Sequence, residues 1–353
     1  MEKRISVVIP NYNNAATIGK CLEAAFASQY NNYEIIVVDD KSEDRSVEII
    51  RGFPCKLICL ETHLGTSRAR NVGGENSSGE FIFFIDADCI LEKDTLSIVN
   101  RTILSLPPSL PRTKGGHIGV VIGGTYSNQP YDKGFYNAFQ SVFINHYETR
   151  KAHPDYIAAH AMIINADAFK ESKGFPEDFL PIIEDVEFTH RLKRSGFELV
   201  VNPEIQVRHI FNFTFMKSMR NAFRKTKYWV MYSLGNKDLL NDSGCASVEL
   251  KANVFCYFLS MTNVALWAIA KEPIIMYFFL FVSILNIFIS RRLLRAFYDK
   301  KGILFGLKAL LFYIMMYPLP VGMGTVAGMM EYVSLNRRLK QIFFSKESNM
   351  GNL

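Results

Sequence analysis

Asp86 and Asp88, separated by Ala87, directly follow the apolar run Phe81-Ile82-Phe83-Phe84-Ile85. Such a run reads as a buried strand of a parallel sheet. Side chains alternate along a strand, so carboxylates at i and i+2 point the same way at its carboxyl end. That end is where open α/β sheets hold ligands. Two adjacent carboxylates repel, and one is driven to keep its proton unless a cation joins them. A hard divalent cation shared with a substrate diphosphate would relieve the repulsion. A solvated acidic turn would carry the same letters, and the strand in front of the pair is what favours the metal–diphosphate reading.

The elements that must position this pair begin near the N-terminus. Residues 5–9 form a short β-branched strand that ends in the turn cluster Pro10-Asn11-Tyr12-Asn13-Asn14. Residues 16–26 have helical periodicity, with Ile18, Leu22, Ala25 and Phe26 on one face. A second strand over 34–38 ends in Asp39-Asp40-Lys41-Ser42, a helix is expected over 46–51, and a third strand over 55–60. Alternating strands and helices predict a parallel sheet with covering helices. A nucleotide base could stack on Tyr12 while Asp40 accepts a hydrogen bond from a ring N–H. Tyr12 taken alone is equally an ordinary half-exposed turn tyrosine.

Four blocks then carry a family resemblance: Val7-Val8-Ile9-Pro10-Asn11-Tyr12-Asn13, Ile36-Val37-Val38-Asp39-Asp40-Lys41-Ser42, Gly65-Thr66-Ser67-Arg68-Ala69-Arg70-Asn71-Val72-Gly73, and Gly79-Glu80-Phe81 through Asp88. In order and spacing they resemble the family-2 inverting glycosyltransferases, over residues 4–235. The resemblance implies an α/β fold of the GT-A nucleotide-diphospho-sugar transferase type, a mainly parallel sheet flanked by helices. It implies a nucleotide-sugar site at Pro10, Tyr12, Asp39, Asp40 and Asp86, with Arg68 or Arg70 facing the diphosphate as a cationic clamp. A surface ion pair is the alternative for either arginine. The resemblance places Asp86 and Asp88 at the ribose and at a diphosphate-bound Mg²⁺ or Mn²⁺.

The acceptor half follows. Residues 117–124 and 157–164 read as core strands, the latter leading into a helix at Asn165-Ala166-Asp167. Glu184-Asp185 opens a helix with Val186, Phe188 and Leu192 on its apolar side. First-turn carboxylates stabilise a helix by themselves. The resemblance makes Glu184-Asp185 the catalytic pair and Asp185 the base that deprotonates an acceptor hydroxyl. An acceptor already ionised as a phosphate needs no base and leaves Asp185 only a positioning role. After the turn Asn202-Pro203-Glu204, His209 ends a strand and is either a metal ligand or a structural residue. His63, His146, His153, His160 and His190 have no spacing that builds a separate zinc site.

The last third changes character. Residues 254–270, 274–290 and 303–330 are nearly uncharged apart from Lys308 and predict membrane-embedded helices. A soluble helical hairpin is the alternative. The third stretch is broken by Pro318 and Pro320, which leaves a kinked span, a re-entrant hairpin or two short helices open; a cytoplasmic tail carrying Arg337, Arg338 and Lys340 favours the hairpin. The basic loop at Arg291, Arg292, Arg295, Lys300 and Lys301 puts both itself and the catalytic domain on the cytoplasmic side. Between the halves, Arg220, Arg224 and Lys225 alternate with aromatics, as in a helix on the membrane surface whose cations meet lipid phosphates or the diphosphate. The bilayer makes nucleic acid the weaker partner. The processive-synthase motif Gln-x-x-Arg-Trp is absent there, which argues against extrusion of a long polymer.

These stretches predict a catalytic domain over 1–210, an interfacial helix over 211–240, membrane helices over 250–335 and a basic tail over 336–353. The hydrophobic fraction of 49% and mean hydropathy of +0.07 are high for a soluble chain, in keeping with that division. The six cysteines, with no C-x-x-C pair, read as reduced thiols. The first strand begins at once, so no cleavable signal peptide is expected. The expected activity is transfer of one sugar from a nucleotide-diphosphate donor to a lipid-linked acceptor, a polyprenyl-diphosphate saccharide. A polyprenyl-phosphate monosaccharide synthase is the second reading, and a catalytically silent membrane scaffold the reading from another class.

Overall fold

A computed structural model describes residues 2–334; the tail positions Arg337, Arg338 and Lys340 lie outside them. The chain divides into two units, Met1–Asn212 and a second from Phe213 onward.

The first unit is built on one eight-stranded sheet in the order β3-β2-β1-β4-β7-β6-β8-β5. The strands are β1 Ile5–Asn11, β2 Tyr33–Asp39, β3 Lys56–Cys59, β4 Phe81–Phe84, β5 Cys89–Leu91, β6 Val120–Tyr126, β7 Met162–Asn165 and β8 Glu198–His209. β5 and β7 run against the other six. The helices are α1 Ile18–Phe26, α2 Ser46–Ile50, α3 Thr66–Glu75, α4 Thr95–Leu104, α5 Phe135–Glu148, α6 Ala166–Glu171 and α7 Glu184–Arg194. The unbroken apolar runs at β1, β2 and β4 are buried because these strands are central and covered on both faces. Val8, Ile36, Val38, Ile82 and Phe84 form one core with Val72 of α3, Phe169 of α6 and Phe188 of α7. Their neighbours Val7, Ile9, Val37 and Phe83 are buried on the opposite face. α3 reaches its place because Gly73 lacks a side chain: a Cβ there would lie 2.3 Å from Val8 Cγ1. Pro10 is accommodated in β1 because the ladder to β4 ends at Val8, two residues earlier.

Three expected elements differ. The strand expected over 117–124 starts at Val120, because Gly116, at φ +84°, and the paired backbone of Thr113 and His117 form a tight turn in front of it. The strand expected over 157–164 opens instead as a 3-10 turn, Ala159–Ala161. Here Ile157 N–H donates to Thr189 Oγ1 and Ala159 N–H to Asp185, which draws the backbone away from the ladder. The turn at Asn202-Pro203-Glu204 is a bulge inside β8: pairing passes from Gly123↔Val201 to Thr125↔Gln206, and Asn202 Oδ1 accepts the Glu204 N–H.

The second unit is helical: α8 Phe215–Asn236, α9 Val248–Ala270, α10 Pro273–Ile289, α11 Arg291–Lys301, α12 Ile303–Leu311 and α13 Pro318–Ser334. Among the described residues two helices are long and apolar enough to cross a membrane, Val248–Ala270 and the continuous run Ile303–Ser334, and α10 with α11 makes a third if that bent pair is one span. Of the three forms left open for the third stretch, the run Ile303–Ser334 takes the single-span form and not the favoured hairpin. A π-turn over Phe312–Met316 lets the chain pass Pro318 without reversing: Tyr317 N–H reaches back to the Phe312 carbonyl. Pro318 has no N–H to offer the next carbonyl, Tyr313 O. Asn253 Nδ2 donates to it instead at 2.9 Å, and Asn253 Oδ1 accepts from Asn286 Nδ2 at 2.9 Å. The basic stretch after α10 is the helix α11, not a loop, bent 59° from α10. Its Leu293 and Phe297 are buried, and a segment with that apolar face gains more from packing as a helix than from solvation as a loop.

Candidate active site

The acidic pair sits where the topology turns. β4 ends at Phe84, and Asp86 and Asp88 occupy the short turn before β5. β5 pairs antiparallel with the end of β8, Cys89 opposite His209, and Ile210 N–H donates to the Asp88 carbonyl. This register brings His209 Nε2 to 3.4 Å from Asp88 Oδ1. The ligand atoms offered by Asp86, Asp88 and Cys89 lie within 4.8 Å of one another. Burial and the two neighbouring aspartates push the Cys89 thiol up, so it stays protonated. The remaining donors are carboxylate oxygens with an imidazole beside them, a set that suits Mg²⁺ or Mn²⁺ better than a soft metal.

On the other side of Asp86 lies Arg70. It is buried in α3 and donates to Asp86 Oδ1 at 2.8 Å and to Glu184 Oε1 at 2.6 Å. Its guanidinium also lies over the Phe175 ring. Although burial opposes ionisation, Arg70 holds the Asp86 carboxyl below its ordinary range. Arg68, two residues earlier on the helix, pairs with Glu177 at 3.2 Å on the exposed side. Of the two arginines, Arg70 is the one gathered with the carboxylates.

Glu184 and Asp185 open α7 after Ile183, whose φ of +77° is a left-handed conformation rare for a β-branched residue. Glu184 is tied to Arg70. Asp185 accepts the Ala159 N–H at 3.1 Å on Oδ2 and the Val186 N–H at 2.9 Å on Oδ1. Burial and the adjacent Glu184 raise its carboxyl to about 6.

At the ends of β1 and β2, Asp39 is fully buried and accepts from Asn11 Nδ2, Ser42 N–H and Ser42 Oγ. Asp40 accepts the Leu64 and Gly65 N–H groups and lies 2.9 Å from His63 Nδ1. His63 in turn stacks on Tyr12, with ring centroids 4.0 Å apart. Tyr12 is 41% exposed and free to offer its other face. Arg220, Arg224 and Lys225 are exposed on α8 of the second unit.

Sequence reasoning passed over two histidines, His160 near Asp185 and His63 beside Asp40. His160, in the 3-10 turn, is buried with Nε2 at 3.4 Å from Glu148 Oε2, and its ring stacks on Tyr126 at 3.8 Å. The available signal was an ionisable residue inside the apolar run 157–164. His63 was set aside for want of zinc spacing, and its partner is an aspartate instead.

Residues 6–162 match the family model described as Glycosyl transferase family 2. Among curated relatives, it is 28% identical over 202 residues to glycosyltransferase AglE of Haloferax volcanii, covering 55% of this chain and 63% of the relative. It is 28% identical over 212 residues, 57% of this chain and 65% of the relative, to the dolichyl N-acetyl-alpha-D-glucosaminyl phosphate 3-beta-D-2,3-diacetamido-2,3-dideoxy-beta-D-glucuronosyltransferase of Methanococcus voltae. With glycosyltransferase GlyA of Streptococcus pneumoniae it shares 30% identity over 163 residues, 43% of this chain and 23% of the relative. The chain thus spans less than two thirds of each. In structure it is similar to the mannosyltransferase PcManGT from Pyrobaculum calidifontis, solved with GDP-Man and Mn²⁺, at a TM-score of 0.55 and 15% identity over 94% of this chain and 88% of that one. The likeness is one of fold, a GT-A-like mixed sheet with flanking helices.

Proposed function

We propose that this protein is a membrane-bound inverting glycosyltransferase that moves one sugar from a nucleotide-diphosphate donor to a hydroxyl of a polyprenyl-diphosphate saccharide. The observation that carries this is the gathering of Asp86, Arg70, Glu184 and Asp185 at one end of the sheet, with Asp88 and His209 beside them. Tyr12 would support the base, and the turn held by Asp39 and Asp40 would shape the nucleotide end. Asp86, Asp88 and His209 would hold Mg²⁺ or Mn²⁺, which would neutralise charge on the leaving diphosphate.

Asp185 would take the acceptor's proton as that oxygen attacks the anomeric carbon. The bond from that carbon to the donor diphosphate breaks, and attack from the opposite face inverts the configuration. Arg70 holds Asp86 ionised and fixes Glu184 in place while Asp185 works. The raised carboxyl of Asp185 favours a hydroxyl acceptor over a phosphate, since a stronger base is useful only where there is a proton to remove. The lipid-linked acceptor is supported by the two apolar helices and by the relative named for a dolichyl-linked substrate. The basic face of α11, with Arg291, Arg292 and Arg295 exposed, favours a cytoplasmic position for that end of α10. In this reading the exposed cations Arg220, Arg224 and Lys225 would meet lipid phosphates.

The test incubates the full chain in membranes with a panel of nucleotide sugars and polyprenyl-linked acceptors, and reads the lipids by mass spectrometry. A lipid one sugar heavier supports the assignment. A monosaccharide on polyprenyl phosphate alone would select the synthase reading, and donor turnover with no acceptor modified, or no turnover at all, would overturn transfer.

A further inference from the structure

Buried His160 and the partly buried Glu148 beside it are ionisable groups for which the reaction as drawn has no use. A buried ion pair is costly to assemble and is weak support for stability alone. This pair has neighbours that lead to the site. Thr125 Oγ1 donates to Glu148 Oε2 at 2.8 Å and fixes the carboxylate facing the ring. Tyr126 clamps the imidazole from one side, and its other contacts, His209 at 4.8 Å and Phe211 at 5.5 Å, are edge-on. On the chain, His160 follows Ala159, whose N–H holds Asp185 Oδ2.

We propose that the Glu148–His160 pair is a positioning device for Asp185: it locks the Ala159–Ala161 turn that orients the carboxylate, and it places a buried positive charge that favours the ionised form of the base. This rests on Asp185 being the base. The groups facing His160 are Glu148 from α5, Tyr126 from β6, Asp86 from the turn after β4, and Asp185 from α7. Burial opposes the imidazolium, but Glu148, Asp86 and Asp185 outweigh it and raise the His160 pKa. The groups facing Asp185 are Glu184, Arg70 and His160, so His160 and Arg70 are the cations that offset Glu184 there.

The test is H160Q, which keeps a hydrogen-bonding side chain but no charge, beside E148Q and wild type. The readouts are kcat/KM for the acceptor from pH 5 to 8.5, donor KM, and melting temperature. Loss of the cation should move the acid limb of the profile up by about one pH unit, which cuts kcat/KM about tenfold at pH 5 and only about twofold at pH 7. Donor KM should stay within about twofold. E148Q should shift the limb the same way, and the double variant should add little to either. A lowered melting temperature with the acid limb unmoved would make the pair structural and overturn the proposal, as would a raised donor KM with kcat/KM falling equally at every pH. A D185N control with near-normal turnover would overturn the base assignment itself, whereas an inactive D185N beside an unshifted H160Q overturns only this inference.

Discussion

Glu184 and Asp185 are adjacent carboxylates with opposite surroundings. Arg70 clamps Glu184, whereas Asp185 receives backbone N–H groups and is pushed up to about 6 by burial and by Glu184. A base works in its ionised form. Acceptor kcat/KM should therefore hold above about pH 6 and fall about tenfold per unit below it, a slope read from initial rates across pH. The acidic pair makes a second prediction. D88A should abolish transfer with the circular dichroism spectrum unchanged, and EDTA should do the same to wild type; full activity in either case would remove the metal. The apolar run of β4 pointed to Asp86 and Asp88, but both lie in the turn beyond the strand, so it is the turn and not strand alternation that gathers their oxygens. Arg68 and Arg70 were not separable, since residues two apart on a helix point to different sides and only the packed fold says which side holds carboxylates. His160 was illegible for a related reason: its partner Glu148 is twelve residues away along the chain and is brought to it by the path between α5 and β7.

At the scale of elements, the central strands declared themselves because burial on both faces leaves apolar runs at residues 7–9 of β1, residues 35–38 of β2 and throughout β4. What pattern could not show was backbone diverted to side chains, as at Ala159, or a strand that carries a bulge past Pro203. The same holds in the second unit. Two prolines read as a break, but the π-turn and the Asn253 amide supply what Pro318 removes, and the helix continues. The basic–aromatic segment reads as a surface helix, yet one side of α8 packs on α13 through small residues. A Cβ on Gly324 would lie 2.6 Å from Phe223 O, and one on Gly328 would lie 2.5 Å from Lys227 O. Lys227 also pairs with Glu331 at 2.5 Å. G328L should force these helices apart at a cost of about 1–3 kcal/mol. The melting temperature of the detergent-solubilised chain would register it, and an unchanged value would contradict the packing.

For the whole molecule, the proposed function has the second unit hold the chemistry at a membrane. The 23-residue helix Val248–Ala270 is about 35 Å long at 1.5 Å per residue, enough for a ~30 Å hydrocarbon core. The full chain should stay with membranes through high salt and alkaline carbonate, because apolar burial is not screened by ions. Release by either wash, detected by immunoblot of the supernatant, would mean that the exposed apolar helices do not span. Whether such a unit follows the sheet was legible from composition. How its helices join was not, because single amides and glycines decide it.

The most direct measurement compares wild type with D185N on one acceptor, a polyprenyl-diphosphate saccharide, with donor and Mn²⁺ saturating and the product lipid quantified by mass. The variant keeps the shape of the carboxylate but cannot hold the proton. Its turnover should fall by about 100-fold or more while donor KM stays unchanged. Turnover near wild type would contradict the role assigned to Asp185, and with it the reading of this site as one built to deprotonate a hydroxyl.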